Sequence, residues 1–299
     1  MPAEAMNNAH SERHSPIIVI SSHVVRGSVG NRSVVFALEQ LGFPVWAVPT
    51  ILLAWHPGQG RSTRIVPEDG QFSALIEDLA ASPRLGEACA IISGYFGDPR
   101  QAKAVAGLVK QLKARNRKAI FLCDPVCADE DGLYVPQAVA EAIRQELLPL
   151  ADIATPNRSE LEWIVGERLD DNSSIIRAAR KLGPSTMLVT SAHAMLAGSI
   201  GNLLVTRLDA VLAEHRVVEN APNGTGDLFA AIFIARLIEG LSPEKALRSA
   251  TAAVFEVVAR AVKRGSVDLM LATDAQSLVH PMAMVQTRRI VEPRGGASA

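Results

Sequence analysis

The sequence predicts an α/β fold: a mostly parallel central sheet with an antiparallel edge and helices on both faces. Three observations carry this. Short apolar, strand-like runs alternate with helix-like segments through most of the 299 residues. The stretch from Gly198 to Val218 breaks the alternation and reads as two strands around a turn, which is how an antiparallel edge looks in sequence. The composition is 48% hydrophobic but only 4% aromatic, which favours an Ala/Val/Leu/Ile core over an aromatic stacking surface.

The elements follow in order. Residues 17–20 (Ile-Ile-Val-Ile) form a short buried strand, and 34–41 are helical and closed by Gly42. Residues 45–48 are strand-like, 72–81 helical, and 88–92 a strand. An amphipathic helix over 101–115 leads to a strand at 119–123. Residues 139–148 are helical, 153–155 a short strand, 174–182 helical, and 187–190 a strand. The two edge strands are 203–205 and 215–218. Two long helices come next. The first begins near Leu228, and its apolar residues lie on all sides, as in a buried helix. The second opens at Ser242-Pro243-Glu244, a cap followed by Pro at the first helical position. It ends with Arg260, Lys263 and Arg264 before Gly265, which suits the helix dipole. The expected organisation is one domain over 16–285 between polar tails at 1–15 and 286–299.

Several classes of function are disfavoured. A formal net charge of −1 and no long basic run argue against a nucleic-acid partner. The three cysteines, Cys89, Cys123 and Cys127, are odd in number and lack a second Cys or His pair for zinc, so they read as core thiols of a reducing cytoplasm. The first fifteen residues lack the apolar run of a signal peptide, and the longest apolar helices carry Arg or Glu, so no membrane span is expected. No Gly-x-x-x-x-Gly-Lys-Ser/Thr segment is present, and no Gly-x-Gly-x-x-Gly follows the first strand. That argues against a P-loop kinase and a dinucleotide dehydrogenase.

The chemistry concentrates at Asn223-Gly224-Thr225-Gly226-Asp227, which opens the first of the two long helices. A helix N-terminus offers unpaired N–H groups and a partial positive charge, and glycines there let an anion approach the backbone. Asp227 adds a carboxylate in the same space. Such a nest would hold developing negative charge while the carboxylate takes a hydroxyl proton, the requirement of phosphoryl transfer to an alcohol. The same residues also suit an ordinary glycine turn and cap.

In an open α/β sheet, ligands sit outside the carboxyl ends of the strands. Each strand here hands over to polar residues: Ser22 and His23 after the first, His56-Pro57-Gly58-Gln59 after the second, and Ser93-Gly94-Tyr95 after the third. Asp124-Pro125-Val126, with Asp129 close behind, follows the fourth. Thr155-Pro156-Asn157-Arg158-Ser159-Glu160 follows the fifth, and Thr190-Ser191 the sixth. Each also has a plain structural reading. Asn157 and Glu160 have the spacing of a capping box, Asp124-Pro125 that of a strand-ending turn, and Tyr95 that of a buried ring with a bonded hydroxyl. Glu160 and the aspartates also fit Mg²⁺, which usually takes one or two carboxylates, waters and substrate phosphates.

On these residues the sequence resembles the ribokinase superfamily, and within it the pyridoxal kinase family, over nearly all of residues 16–280. The resemblance rests on Gly224-Thr225-Gly226-Asp227, Asn157-Arg158-Ser159-Glu160 and Ser22-His23-Val24-Val25-Arg26-Gly27-Ser28-Val29-Gly30-Asn31, with Ser93-Gly94-Tyr95 and Cys123-Asp124-Pro125-Val126 in support. It implies a three-layer α/β/α ribokinase-like fold and ATP-dependent phosphorylation of the 5′-hydroxyl of pyridoxal in vitamin B6 salvage. The resemblance leaves pyridoxine and pyridoxamine open as further acceptors.

By the same resemblance, Asp227 is the base, and Gly224, Thr225 and Gly226 are the anion hole for the γ-phosphoryl. Glu160, with Asp129 as a weaker candidate, holds Mg²⁺ largely through waters. Asp124 and Thr155 lie near the phosphates and a monovalent cation such as K⁺, and Asn157, Thr190 and Ser191 contact ATP. Ser22 bonds the pyridine ring, Val24 and Tyr95 sandwich it, and His56 reaches its substituents. A homodimer is implied as well. The family usually carries His-Thr-Gly-Tyr or His-Thr-Gln-Tyr after the second strand. Here the loop reads His56-Pro57-Gly58-Gln59, without the Thr or the Tyr, and the preference among B6 vitamers stays open. The alternatives are a hydroxymethylpyrimidine or sugar kinase of the superfamily and a non-catalytic B6-binding protein.

Overall fold

In the computed structural model the described residues are 14–291. The strands are β1 (Ile17–Val24), β2 (Val45–Leu53), β3 (Arg64–Ile65), β4 (Ala90–Ser93), β5 (Ile120–Cys123), β6 (Ala128–Asp129), β7 (Gly132–Leu133), β8 (Ile153–Ala154), β9 (Thr186–Ala192), β10 (Ser199–Thr206), β11 (Ala210–Arg216) and β12 (Gln286–Arg289). The helices are α1 (Asn31–Gln40), α2 (Asp69–Ala81), α3 (Pro99–Arg115), α4 (Gln137–Ala142), α5 (Arg158–Val165), α6 (Asn172–Lys181), α7 (Thr225–Ile238), α8 (Pro243–Lys263) and α9 (Ala275–Val279).

Side chains alternate across a strand, so one apolar strand can feed two cores. Ile17 and Val19 of β1 pack with α1, α7 and α8, whereas Ile18 and Ile20 pack with α2, α3 and α4. A third core lies under α5 and α6 at the β9–β11 end. The result is a three-layer α/β/α architecture. Its ten-stranded sheet has the order β12-β11-β10-β9-β8-β5-β4-β1-β2-β3, and β6 and β7 form a separate small hairpin. β2, β1, β4, β5, β8 and β9 are parallel, while β10, β11 and β12 continue as an antiparallel edge and β3 closes the other end antiparallel. β1 has β2 on one side and β4 on the other, so the strand order reverses there and leaves a crevice at the carboxyl ends. α7 buries eight consecutive residues, Leu228 to Ala235, as its all-round apolar pattern requires.

The structure corrects several boundaries. β1 runs on to Val24, so Ser22 and His23 are strand residues rather than loop residues. The pairing with β2 continues as His23↔Leu52 and Val24↔Leu53 after a bulge. β2 likewise extends to Leu53. The second edge strand is Ala210–Arg216, not 215–218, because a short turn at 207–209 starts it earlier. The helix expected over 139–148 is α4, widening into a π turn over Ile143–Leu147 ahead of Pro149. The expected C-terminal tail begins too early: Gln286–Arg289 add a strand to β11, whose free edge offers unpaired backbone groups. The remaining tail residues, 1–13 and 292–299, lie outside the described residues. None of the helices among the described residues is long and apolar enough to cross a membrane.

Candidate active site

The crevice is built from strand ends. Opposite a bulge in β2, Ser22 of β1 is buried, and it faces Gly30, where an added Cβ would stand 2.4 Å from both the Ser22 carbonyl oxygen and its Oγ. Only glycine fits this contact, and Gly30 also sits at φ 55°. The close approach brings the Gly30 N–H to the Asp227 Oδ2, to which it donates at 2.9 Å. The loop after β1 and the start of α7, 197 positions apart, thus meet at one carboxylate.

α7 starts at Thr225 behind Gly224, whose φ of 93° is left-handed, and no side chain caps it. A Cβ on Gly224 would meet the Ser28 carbonyl oxygen at 2.2 Å, so this glycine lets the helix start press against the first loop. A Cβ on Gly226 would meet nothing within 4 Å among the described residues. The helix N-terminus therefore faces open space beside Asp227, the geometry an anion needs. Burial pushes the Asp227 carboxyl up to about 6, with the Gly30 N–H working against it.

Two more carboxylates share this ground. Asp124, after β5, is buried and accepts a hydrogen bond from the Thr155 hydroxyl at 2.9 Å. Burial raises its carboxyl well above the usual range, and the charges of Glu160 and then Asp227 add to this. Glu160 is buried too, and its two oxygens accept from the Cys127 and Asn157 N–H groups at 2.8 Å each. With the Asn157 side chain accepting from the Glu160 N–H, this is a complete capping box at the start of α5. Asn157 Nδ2 also donates to the Ala128 carbonyl. The cap therefore ties the loop after β5 to the loop after β8. Burial lifts Glu160 to about 7 despite its backbone donors, and the Asp129 charge adds to the rise.

The other sequence candidates fall around this centre. Thr190 N–H donates to the Pro156 carbonyl, and Thr190 bridges to Asn157, so both stand at one corner. Ser191 follows with φ 54°, and Val126 has φ 41°. Left-handed backbone at a β-branched Val is uncommon and marks strain beside the carboxylates. Asp129 lies exposed on the β6–β7 hairpin and accepts from the Asp131 N–H. Tyr95 is positioned through its backbone: its N–H donates to Ser21 Oγ, and its carbonyl accepts from the Thr50 hydroxyl at 2.6 Å. Val24 has no accessible surface and packs in a small apolar cluster with Val29, Ile51 and Leu53, against which Tyr95 leans. In this conformation Val24 supports the Tyr95 side of the crevice from beneath instead of presenting a free face. His56 accepts from the Gly58 N–H, and a Cβ on Gly58 would lie 3.5 Å from Asn223 Nδ2, so this loop borders the start of α7.

Tyr134 was not singled out by its sequence. It follows the β6–β7 hairpin and is half exposed, and partial burial and then the charges of Glu160 and Asp124 push its phenol up. The short hairpin 128–133 before it carries no strong periodicity, and only the Gly132 turn hints at it.

A helix N-terminus, an adjacent carboxylate and a cluster of buried acids define a site for phosphoryl transfer to an alcohol on an α/β scaffold. Comparison with known proteins narrows this. Residues 90–272 match the phosphomethylpyrimidine kinase family model. The chain is 35% identical over 281 residues to pyridoxal kinase PdxY of Rubrobacter xylanophilus, covering 92% of this chain and 97% of that one. It is 33% identical to pyridoxal kinase PdxY of Pseudomonas entomophila, covering 94% and 99%. The pyridoxal kinase of Leishmania donovani, solved with ADP and pyridoxamine, superposes with a TM-score of 0.87 at 26% identity, over 93% of this chain and all of that one. The chain belongs to the phosphomethylpyrimidine kinase family of that model and, within this fold, to the pyridoxal kinases.

Proposed function

We propose that this protein transfers the γ-phosphoryl group of ATP to the 5′-hydroxyl of pyridoxal, forming pyridoxal 5′-phosphate and ADP. The observation that carries this reading is the Gly30 N–H bond to Asp227, which joins the Ser22-His23-Val24-Val25 segment to the base beside an uncapped helix N-terminus. Asp227 takes the proton as the hydroxyl oxygen attacks the γ-phosphorus. The bond from that phosphorus to the β–γ bridging oxygen breaks, and ADP leaves with the electron pair. The N–H groups around Gly224, Thr225 and Gly226 bind the transferred group's oxygens. Ser22, Tyr95 and His56 surround the vitamer, while Asn157, Thr190 and Ser191 lie on the nucleotide side.

Mg²⁺ fits this site. Among the described residues no three His, Cys, Asp or Glu side chains converge as a cage. Yet Asp124, Glu160 and Asp129 put buried and half-screened negative charge where phosphates would arrive, which suits an ion held mainly by waters and phosphate oxygens. When bound, Mg²⁺ would neutralise charge on the β- and γ-phosphates. Asp124 and Thr155 are the groups for a monovalent cation such as K⁺. In the same reading the protein works as a cytoplasmic homodimer, on the strength of the family relation.

The test is ATP-dependent phosphorylation of pyridoxal, pyridoxine, pyridoxamine, hydroxymethylpyrimidine and ribose by the purified protein. Phosphate on pyridoxal is the expected result. Phosphate on the pyrimidine or the sugar alone would sink the assignment, and tight pyridoxal binding without turnover would point to a binding protein.

A further inference from the structure

Three loops meet beside the vitamer end of the crevice, and one side chain joins them. Arg26, at the end of β1, donates through Nη2 to Gln59 Oε1 at 2.7 Å. Gln59 Nε2 in turn donates to Asp268 Oδ1 at 2.7 Å. Asp268 belongs to the segment after α8, which is bound to the first loop a second time through the Ser28 hydroxyl and the Leu269 carbonyl. A Cβ on Gly27 would stand 3.1 Å from the same Asp268 oxygen, so the three loops are in close contact. The Arg26 guanidinium also lies 5.6 Å over the Trp55 ring, and Trp55 Nε1 donates to the Gly60 carbonyl. Both ends of the 55–60 loop are thereby fixed around Gln59.

A carboxamide suits this place. It accepts from a cation on one side and donates to a carboxylate on the other, so one neutral group satisfies two opposite charges. Neither a hydrocarbon nor a carboxylate does both. The loop so held carries His56 and lies against Asn223 at the start of α7.

We infer that Gln59 is a positioning residue for the acceptor: its amide ties Arg26 to Asp268 and holds the 55–60 loop, with His56, closed against the start of α7. The inference rests on the proposed vitamer kinase reading for what the loop covers, but the tie itself is readable without turnover. Arg61, immediately after the loop, is exposed and gives trypsin a cleavage point.

In Gln59→Ala, cleavage after Arg61 accelerates by about 3–10-fold, the size expected for losing a pair of modest hydrogen bonds. The KM for pyridoxal rises by about the same factor, while kcat and the KM for ATP stay near the parent values. Gln59→Glu sets a carboxylate against Asp268 and shows the same defect. Adding Asp268→Asn to it restores a donor facing that carboxylate and returns both the cleavage rate and the KM toward the parent. Unchanged cleavage at Arg61 in Gln59→Ala overturns the tie. Faster cleavage with a fall in kcat and no change in pyridoxal KM overturns its role in holding the acceptor. If the parent protein phosphorylates no vitamer, the proposed function fails by itself, and the role inferred for Gln59 toward the acceptor fails with it. The cleavage rates then still show whether the tie exists.

Discussion

The Asp227 carboxyl accepts one N–H bond, from Gly30, and burial holds it near 6. A base needs to be unprotonated, so kcat/KM for pyridoxal should fall as pH drops through about 6. Burial also raises Asp124 and Glu160, and Asp124 feels the Asp227 charge, so the measured limb belongs to the three carboxylates rather than to Asp227 alone. Asp227→Asn should lose roughly 10²–10⁴-fold in kcat with an unchanged circular dichroism spectrum. Near-parental turnover in that variant would remove Asp227 from the chemistry. Asp227 was legible in the sequence as a carboxylate two residues into an apolar helix behind two glycines, a pattern that an ordinary turn and cap also produces. Ser22 was legible as a residue, but its place opposite a bulge was not. The extra residue lies between Pro49 and Leu52 of β2, on another strand.

At the scale of elements, the two glycines at the start of α7 should behave oppositely. Gly224 has left-handed backbone and a carbonyl oxygen 2.2 Å from where a Cβ would stand, so Gly224→Ala should destabilise the protein. The strained backbone alone costs about 1–3 kcal/mol. Gly226 is helical and open, so Gly226→Ala should leave stability unchanged or slightly higher, because Ala is the better helix former. Its methyl group would occupy the space proposed for the transferred phosphoryl, and kcat should drop by roughly 10²-fold or more. Urea denaturation and steady-state kinetics on both variants check this. Full turnover in Gly226→Ala would place the phosphoryl group elsewhere. α5 shows how one element can serve two readings: the Asn157–Glu160 capping box is real, and it also fixes Glu160 beside Asp124. The spacing gave the box, but only the fold shows that the capping carboxylate bonds Cys127 as well.

Over the whole molecule, three acids titrate together. Asp124, Glu160 and Asp227 all have folded-state values raised above their ordinary ones, so between about pH 4 and pH 7 the folded form holds more protons than the unfolded form. Stability contributed by this group is therefore present at the acid end of that window and lost as pH rises through about 6 to 7. If Mg²⁺ is held as proposed, it would bind the unprotonated cluster, so Mg²⁺ with ATP should raise Tm more near pH 8 than near pH 5.5. Calorimetry at the two pH values tests this, and an equal shift at both would show that the carboxylates do not share the ion.

The sequence by itself determined the alternation of strands and helices, the buried α7, the capped α8 and the residues that end each strand, because these depend on local periodicity and turn chemistry. The family was reached differently, by the resemblance of Ser22–Asn31, Asn157–Glu160 and Gly224–Asp227 to known motifs. The tertiary structure decided what depends on distant partners. It extended β1 by pairing it with β2, and turned Gln286–Arg289 from an expected tail into a strand on the open edge of β11. It also placed Gln59 between Arg26 and Asp268, a contact spanning 209 positions that no local pattern encodes. Gly30 and Asp227 show the division most plainly. Each is readable alone as a turn glycine or a helix-start acid, but their bond exists only because the sheet brings the end of its first strand against the start of α7.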